Sequence, residues 1–596
     1  LGSIVYESFN GLRFLRSLDL TNQNLKAIPF KAFKGLDNLS VLLLSNNGLK
    51  SIENGSFIGL NNLDILDLSN NSLEFIPSGS FLDLSDLNNL NLANNSLRKL
   101  ESGSFYYLSR LNKLNLINND INSIEKESFI GLNNLNTLDL SHNSLELIQK
   151  GSFIGINKYI SLLDLSNNYL DFIPSESFSG LNSLLHLNLV NNSLQKLVPK
   201  SFYGLSELLE LNLSNQNLTE IPIGTFKGLD RLQNLILSNN PLKLLEYGSF
   251  SFLKELSTLD LSNNNLNFIP CESFKDLNSL RSLLLTNNCL QKLELNSFYG
   301  LNKLTRLNLA NQNLSHIPLG SFKGFDRLNT LSLSNNSLKE IKNRNFYDLN
   351  YLNTLDLSNN FLHFIPNGSF EGLSSLIDLL LTNNSLITLE SGSFNGLFNL
   401  AKLDLTNNSL ITLESGSFNG LFNLAKLDLT NNFLHFIPIG TFDTLNNLVT
   451  LKLSNNNLNS FNFGSFDGLD HLQNLDLSYN LLDKIQSNKF LKLTNLKVLN
   501  VSYNAINSME SEIFTNLNLL NMLIFDGNQI YEKSIITKVT CITNTCSGRT
   551  ISLGENRQRC WDLAVDVIAA KAKLIKLISI KNTTALPNVF GIDCKE

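Results

Sequence analysis

The 596-residue sequence predicts a solenoid of stacked turns with a parallel β-sheet along one face. The pattern L-x-x-L-x-L-x-x-N-x-L returns every 24 residues from Leu15, as in Leu63, Leu66, Leu68, Asn71 and Leu73. In addition, the segment SLITLESGSFNGLFNLAKLDLTNN at 385–408 recurs unchanged at 409–432. In a solenoid each turn contacts only its neighbours, so a duplicated turn adds a layer without disturbing the others.

The ninth position of the pattern locates the turns. It falls at residues 23, 47, 71, 95, 119 and 143, then at 168 and every 24 residues to 528, which gives about 22 turns over residues 15–530. One turn carries an extra residue, within GINKYISLLDL at 155–165. Phe9 indicates that residues 1–14 are part of an earlier turn.

Each turn is predicted to contain a β-strand. In L-x-x-L-x-L the second and third Leu are two residues apart, so both side chains point to the same face of a strand. One strand cannot bury that face alone. Stacking places it beside the next strand, about 4.8 Å away, with every Leu over its neighbour's.

Asn and Phe recur at fixed places in the turn. The Asn is expected to enter the interior and bond backbone groups that are left unpaired where the chain leaves the strand, since a missed partner costs roughly 1–3 kcal/mol. Gln replaces it at Gln23, Gln216 and Gln312, which we interpret as copies of one block with an adjusted hydrogen bond rather than as an altered binding ridge. A Phe ten residues later, from Phe33 to Phe514, is predicted to fill the opposite wall.

This repeat resembles the extracellular "typical" leucine-rich repeat, L-x-x-L-x-L-x-x-N-x-L-x-x-L-P-x-x-x-F-x-x-L, over nearly the whole chain. That family includes Toll-like receptor ectodomains, Slit proteins, lamprey variable lymphocyte receptors and small proteoglycans. The resemblance implies a leucine-rich repeat solenoid, α/β by convention. It would be a curved horseshoe with the parallel sheet on the concave face and short helical or extended segments on the convex face. The family's N-terminal cap is missing, so we expect a truncated or incomplete ectodomain.

The composition and charge of the chain argue against several classes of protein. Hydrophobic residues make up 42% of the chain, which is too many for a disordered protein. A net charge of −6 argues against electrostatic capture of nucleic acid or of an anionic membrane. No run of about twenty uncharged apolar residues is long enough to span a bilayer.

Outward-facing strand positions are the systematic candidates for ligand contact. The residue between the second and third Leu is often Asp, and Lys, His, Glu or Arg stands two residues earlier on the same face. The duplicated segment places Lys402 and Asp404 beside Lys426 and Asp428, an array of alternating charge. The candidate binding residues are His186, Glu210, Arg306, Asp356, Lys402, Asp404, Lys426, Asp428 and Asp476.

Two other interpretations of these charges stay open. They would be solvated ion pairs, which contribute about 0–1 kcal/mol each, or the Asp row would bind calcium. A calcium site needs oxygens that converge from several directions, and a flat row interleaved with Lys converges poorly. We therefore expect no metal site and no cofactor.

Four cysteines follow the last turn: Cys541, Cys546, Cys560 and Cys594. Residues 531–596 are predicted to form a small disulfide-stapled cap that covers the Leu layer of the last turn. The resemblance to the family's cysteine-rich cap implies pairs of the first with the third cysteine and of the second with the fourth, although the usual C-x-C opening is absent.

The cap is also expected to contain a helix within Trp561–Ile578. A zinc site is the competing interpretation of the four cysteines, but no Cys-x-x-Cys pair or nearby His supports it. Cys271 and Cys289 occupy different positions of the repeat in adjacent turns. We therefore expect them to be free thiols rather than a disulfide.

Fourteen N-x-S/T sequons make the chain a candidate glycoprotein, although those in NNS follow from the repeat itself. They are Asn38, Asn54, Asn70, Asn94, Asn191, Asn212, Asn217, Asn313, Asn335, Asn367, Asn383, Asn407, Asn500 and Asn582. Asn582 lies outside the repeats, so together with the terminal cysteines it favours the secretory pathway and an extracellular or cell-surface location.

The sequence thus favours an extracellular recognition protein, either a receptor ectodomain or a secreted binder. The resemblance implies innate immunity or cell adhesion, and the expected ligand is a protein, a glycan or a microbial molecule. The net charge argues against nucleic acid, and a dimer is an option. The alternative is a non-catalytic scaffold, including an intracellular one from a microbe. An enzyme is disfavoured because the six His residues are scattered and none lies in an H-E-x-x-H or nucleophile-elbow context.

Overall fold

The computed structural model describes residues 3–6, 8–156, 158–486, 489–509, 513–514, 516–529, 549–552 and 575–577. The chain divides into two compact units. The first comprises Leu1–Leu290 and Glu294–Leu304, and the second comprises Gln291–Leu293 and Thr305–Glu596. The described residues form strands and turns and contain no helix.

Short parallel strands make up the first unit. They are β1 Ser17–Asp19, β2 Val41–Leu43, β3 Ile65–Asp67, β4 Asn89–Asn91, β5 Lys99–Leu100, β6 Lys113–Asn115, β7 Ser123–Ile124, β8 Thr137–Asp139, β9 Leu162–Asp164, β10 His186–Asn188, β11 Glu210–Asn212, β12 Asn234–Ile236, β13 Thr258–Asp260 and β14 Ser282–Leu284.

The second unit continues the same pattern. Its strands are β15 Arg306–Asn308, β16 Thr330–Ser332, β17 Thr354–Asp356, β18 Asp378–Leu380, β19 Thr388–Leu389, β20 Lys402–Asp404, β21 Thr412–Leu413, β22 Lys426–Asp428, β23 Thr450–Lys452, β24 Asn474–Asp476, β25 Lys484–Ile485, β26 Val498–Asn500, β27 Ser508–Met509, β28 Met522–Ile524, β29 Arg549–Ser552 and β30 Ile575–Leu577.

The predicted strand register is confirmed. Each three-residue strand from β2 to β28 buries its central residue, whereas Leu18 of β1 is partly exposed. Leu18 lies opposite Leu42, which lies opposite Leu66. The extra residue between β8 and β9 does not break this order, since Leu138 still pairs with Leu163. The insertion is therefore absorbed outside the strands.

The interior Asn performs the predicted role. Asn71 donates through Nδ2 to the carbonyl oxygens of Leu44, Leu68 and Ser69 at 3.0–3.1 Å, and its Oδ1 accepts the N–H of Leu49 at 3.2 Å. Each such Asn thus joins the backbone of its own turn to that of the preceding turn.

Gln substitutes for this Asn without changing its function. Gln216 donates through Nε2 to the carbonyl oxygens of Leu189 and Ser214 at 2.6 and 3.1 Å, and its Oε1 accepts the N–H of Leu194 at 3.2 Å. The longer side chain makes the same kind of bridge, which supports the interpretation that the block was copied.

Phe side chains stack along the opposite wall, as predicted. In the first unit the centroids of neighbouring rings lie 5.8 Å apart at Phe9 and Phe33 and 6.3 Å apart at Phe274 and Phe298. In the second unit the rings of Phe370 and Phe394 are 6.1 Å apart and nearly parallel. The described return segments consist of turns and short extended pieces. Three pairs of these pieces form two-stranded sheets: β5 with β7, β19 with β21, and β25 with β27.

Beyond the last turn, parallel pairing continues from β28 to β29 and from β29 to β30. The predicted helix within Trp561–Ile578 is wrong over Ile575–Leu577, where the chain is a strand. The physical reason is that an edge strand leaves N–H and C=O groups without partners, and another strand satisfies them directly. Residues 561–574 and the four cysteines of the cap, Cys541, Cys546, Cys560 and Cys594, lie outside the described residues.

Candidate ligand-binding face

The open face of the sheet consists of the first and third residues of the three-residue strands. The alternation of side chains buries the central Leu and leaves these two residues at least partly exposed at most strands, as with His186 and Asn188 on either side of Leu187. Each candidate binding residue lies on the open face of its own unit: His186 and Glu210 in the first, and Arg306, Asp356, Lys402, Asp404, Lys426, Asp428 and Asp476 in the second.

The Asp residues of this face cap the turns that follow their strands. In each case the carboxylate Oδ1 accepts the backbone N–H two residues further on, at 2.9–3.2 Å. The residues concerned are Asp19, Asp67, Asp139, Asp164, Asp260, Asp356, Asp404, Asp428 and Asp476. One oxygen of each of these carboxylates thus stabilises a turn, as expected for Asp at this place.

His186 and Glu210 face each other across β10 and β11. The two residues are in register, and Nδ1 of His186 lies 3.6 Å from Oε2 of Glu210. They form a local polar pair on the open face of the first unit.

The duplicated segment places like charges side by side. Lys402 lies opposite Lys426, and Asp404 lies opposite Asp428, so charge alternates along each strand but not across the ladder. Within the described part of the chain, neither Lys402 nor Lys426 forms an ion pair. Both ammonium groups remain available to a ligand.

Asp428 differs from its copy because Lys452 lies opposite it on β23. The Nζ of Lys452 is 3.0 Å from Oδ2 of Asp428, and Asp428 is only 6% exposed. Burial disfavours the charged carboxylate, but hydrogen bonds from Thr430 and Lys452 outweigh it and hold the pKa of Asp428 below its ordinary value.

Arg306 borders an open hollow of about 870 Å³ in the second unit. The hollow lies where four successive turns enter the sheet, and its lining residues are Thr305, Arg306, Asp326, Arg327, Asn329, Thr330, Tyr351, Asn353 and Ser375. Tyr351 presents a ring that is 66% exposed.

Arg327 and Tyr351 precede the first Leu of their turns. In the first unit the same position carries ion pairs between neighbouring turns: Arg110 with Asp86 at 2.9 Å, and Arg231 with Glu207. Among the residues that the structure describes, no carboxylate forms an ion pair with Arg306 or Arg327. The hollow therefore combines two unpaired guanidinium groups with an exposed aromatic ring.

Sequence reasoning selected Arg306 but missed Arg327 and Tyr351. Only the strand positions were considered as ligand contacts, and Arg327 and Tyr351 stand outside the strands, before the first Leu of their turns. At that position the adjacent turns pair Asp86 with Arg110 and Glu207 with Arg231, whereas the turns on either side of Arg327 carry Lys303 and Tyr351, so a comparison along the turns would have identified Arg327.

Comparison with known proteins agrees with the repeat geometry. The leucine-rich repeat pattern matches overlapping segments over residues 13–314 and 422–530. The chain belongs to the leucine-rich repeat family. The pattern of the BspA-type leucine-rich repeat region matches residues 291–448 of this leucine-rich repeat protein. No curated protein matches the chain.

Solved structures share the leucine-rich repeat fold. Toll in the Toll–Spatzle complex of Drosophila is 19% identical, with 90% of this chain and 88% of that chain covered and a TM-score of 0.56. PEPR1 in complex with AtPEP1 is 22% identical over 94% of this chain and 81% of that chain, with a TM-score of 0.50. A leucine-rich repeat protein of Leptospira interrogans is 28% identical over 70% and 90% of the two chains, with a TM-score of 0.46.

The remaining predictions concern the cysteines within the repeats, metal binding, membrane spans and the glycosylation sequons. Cys271 and Cys289 are free, exposed thiols, as expected. The described residues contain no cluster of three His, Cys, Asp or Glu side chains that could hold a metal, and no helix long and apolar enough to cross a membrane. Of the sequon residues, Asn212 and Asn500 are half-buried on β11 and β26, whereas Asn582 lies outside the described residues.

Proposed function

We propose that this leucine-rich repeat protein is a non-catalytic recognition protein that binds a ligand bearing acidic groups on the open face of its second unit. The hollow of Arg306, Arg327 and Tyr351 would anchor the ligand. Lys402 and Lys426 would extend the contact along the same face. The observation that carries the proposal is the pair of guanidinium groups without an acidic partner beside an exposed ring.

Arginine and tyrosine suit this role. A guanidinium offers a planar set of donors that matches carboxylate, sulfate or phosphate oxygens. Arg and Tyr are also enriched among the residues that contribute most to binding energy. In the described part of the chain, neither the Asp caps nor Asp326 of the hollow forms an ion pair with Arg306 or Arg327.

We further propose an extracellular setting, as a receptor ectodomain or a secreted binder in innate immunity or cell adhesion. Support comes from the exposure of eleven sequon residues: Asn38, Asn54, Asn70, Asn94, Asn191, Asn217, Asn313, Asn335, Asn367, Asn383 and Asn407. The four terminal cysteines fit the same oxidising compartment.

Two acidic probes test the binding proposal. A sulfated glycan of the heparin type and a poly-glutamate peptide are immobilised, with uncharged dextran as the reference surface, and the chain is titrated over them. We expect binding to at least one acidic probe, weakened at least about 10-fold in R306A/R327A, since each lost charged contact is worth about 1.5–3 kcal/mol.

A matched variant controls for overall charge. R110A/R231A also removes two arginines, but both are paired with acidic residues in the first unit. We expect this variant to bind like the wild type. Failure of both acidic probes to bind, or equal weakening by the two double variants, would contradict the assignment of the hollow.

A further inference from the structure

A second surface lies on the flank where each turn leaves the sheet, just after the interior Asn. Four successive turns carry the segments FLHF at 361–364, SLIT at 385–388, SLIT at 409–412 and FLHF at 433–436. We call the outward-facing residues of these four segments the exit patch. The turns of the exit patch read the same in either direction along the solenoid.

Backbone hydrogen bonds hold the exit patch in register. The N–H of Ile387 donates to the carbonyl of His363 at 3.2 Å, and the N–H of Ile411 donates to the carbonyl of Ile387 at 3.0 Å. The third residues of the first three segments therefore lie beside one another. Next to them, the hydroxyl oxygens of Thr388 and Thr412 are 3.4 Å apart.

The exit patch is exposed and mainly apolar, with the polar His363 and His435 at the third position of its outer turns. Phe361 and Phe433 are 53% and 52% exposed, Phe364 and Phe436 are both 46% exposed, and the two central residues, Ile387 and Ile411, are 47% and 44% exposed. The matching values show that the outer turns present equivalent surfaces, as do the inner turns.

Such residues are unusual at this place in the repeat. At the third position of the segment, every other turn from Lys26 to Asn507 has a polar or charged residue, and only Ile387 and Ile411 are apolar. No Asp, Glu, Lys or Arg occurs in the four segments. A surface that only faces water would not require apolar residues in place of polar ones. A contiguous exposed apolar surface marks an interaction site.

We propose that the exit patch binds the exit patch of a second copy of this chain around a two-fold axis. A two-fold contact requires a self-complementary surface, in which residue i meets j and j meets i. An axis between the two SLIT turns reverses the order of turns and of residues within each turn. Ile387 of one copy then meets Ile411 of the other, and the Phe residues of the first turn meet those of the fourth.

The large apolar side chains are matched in this arrangement. Phe361 and Phe364 of one copy face Phe433 and Phe436 of the other on either side of the central Ile387–Ile411 contacts, so rings contact rings. A parallel, side-by-side arrangement would not exploit the reversed order of the turns. The absence of fixed charges also removes the like-charge repulsion that a self-contact would create.

The available area fits a weak dimer. Four half-exposed Phe and two half-exposed Ile present on the order of 500 Å² per copy, or roughly 1,000 Å² for the pair. That total is at the lower limit of specific interfaces. We therefore expect a dissociation constant in the micromolar range. This contact does not involve the hollow of Arg306, Arg327 and Tyr351.

Sedimentation velocity of the full chain from about 1 to 100 µM tests the proposal. The wild type is expected to shift from monomer to dimer across this range. I387K/I411K should weaken association at least about 100-fold, because it places ammonium groups opposite one another. I387E/I411K should restore dimerisation, because the two-fold arrangement brings each introduced carboxylate against an introduced ammonium of the other copy.

Ile223→Lys is the matched control, since Ile223 is 56% exposed in the first unit and lies outside the exit patch. It should leave association unchanged. Circular dichroism confirms that each variant is folded. A wild type that stays monomeric at 100 µM would overturn the dimer. Association unaffected by I387K/I411K, or lost equally in I387E/I411K, would overturn the two-fold arrangement.

Discussion

Lys452 and Asp428 form an ion pair across neighbouring strands, with 3.0 Å between Nζ and Oδ2, whereas Asp404 occupies the same place in the identical preceding turn without a lysine opposite it. Both carboxylates accept hydrogen bonds from the hydroxyl and backbone N–H of a threonine, Thr430 or Thr406. The duplicated sequence therefore supplies an internal control for the lysine.

We predict that D428N destabilises the protein more than D404N does, by about 1 kcal/mol. Each substitution weakens the same threonine cap, but only the first removes a partner of Lys452, and the lysine is partly screened by solvent. Thermal unfolding at pH 7 measures the difference. In a K452M background the two substitutions should cost the same; a difference that persists there would refute the role of the lysine.

The same pair predicts a pH dependence. The pKa of Asp428 lies below its ordinary value of 3.8, so the folded protein binds this proton less readily than the unfolded chain. Its contribution to stability is then present above that value and is lost as the pH falls through the lower, folded pKa. We expect the difference between wild type and D428N to shrink in acid unfolding experiments as the pH falls below 3.8.

The interior Asn gives a sharper prediction. Asn432 bonds the backbone of its own turn and of the preceding turn, donating to the carbonyls of Leu405 and Leu429 and accepting the N–H of Leu410. N432A leaves these buried groups without partners and should cost about 2–5 kcal/mol. N432Q should cost less than half as much, because Gln216 makes the same bridge in the first unit. Equal losses in denaturant unfolding would contradict this.

The terminal cysteines test the extracellular setting. Protein purified from its native source without reducing agent should contain the pairs Cys541–Cys560 and Cys546–Cys594, as detected by mass spectrometry of proteolytic fragments. Cys271 and Cys289 should react with a thiol reagent, since both are exposed and free. Four reduced terminal thiols in native material would favour the intracellular scaffold instead.

Much of the fold follows from the sequence because one interaction repeats at each turn. The Leu, Asn and Phe positions are dictated by backbone geometry and burial, so Leu66, Asn71 and Phe81 could be placed without coordinates. The cap was harder to predict. Ile575–Leu577 has a pattern compatible with helix or strand, and only the open edge of β29 decides between them.

The binding face was predicted less well because a charge pattern does not show which side chains already form hydrogen bonds within their own turn. Asp356 and Asp404 are outward-facing, as expected, but their hydrogen bonds to Ser358 and Thr406 are local effects that a charge pattern does not show. The hollow at Arg306 is built from side chains of four turns, and two of its principal members precede the strands. The positions of the strands in the sequence therefore do not reveal the hollow.

Removal of one duplicate turn, residues 409–432, is the most direct test of the claim that the turns are independent layers. The variant should fold cooperatively with an unchanged β-type circular dichroism spectrum and a melting temperature within a few degrees of the wild type, because each remaining turn meets the neighbour that it had before. Removal of 12 residues, 409–420, should destroy the local stack because it breaks the register. An aggregated or unfolded 24-residue deletion, or equal tolerance of both deletions, would contradict the account.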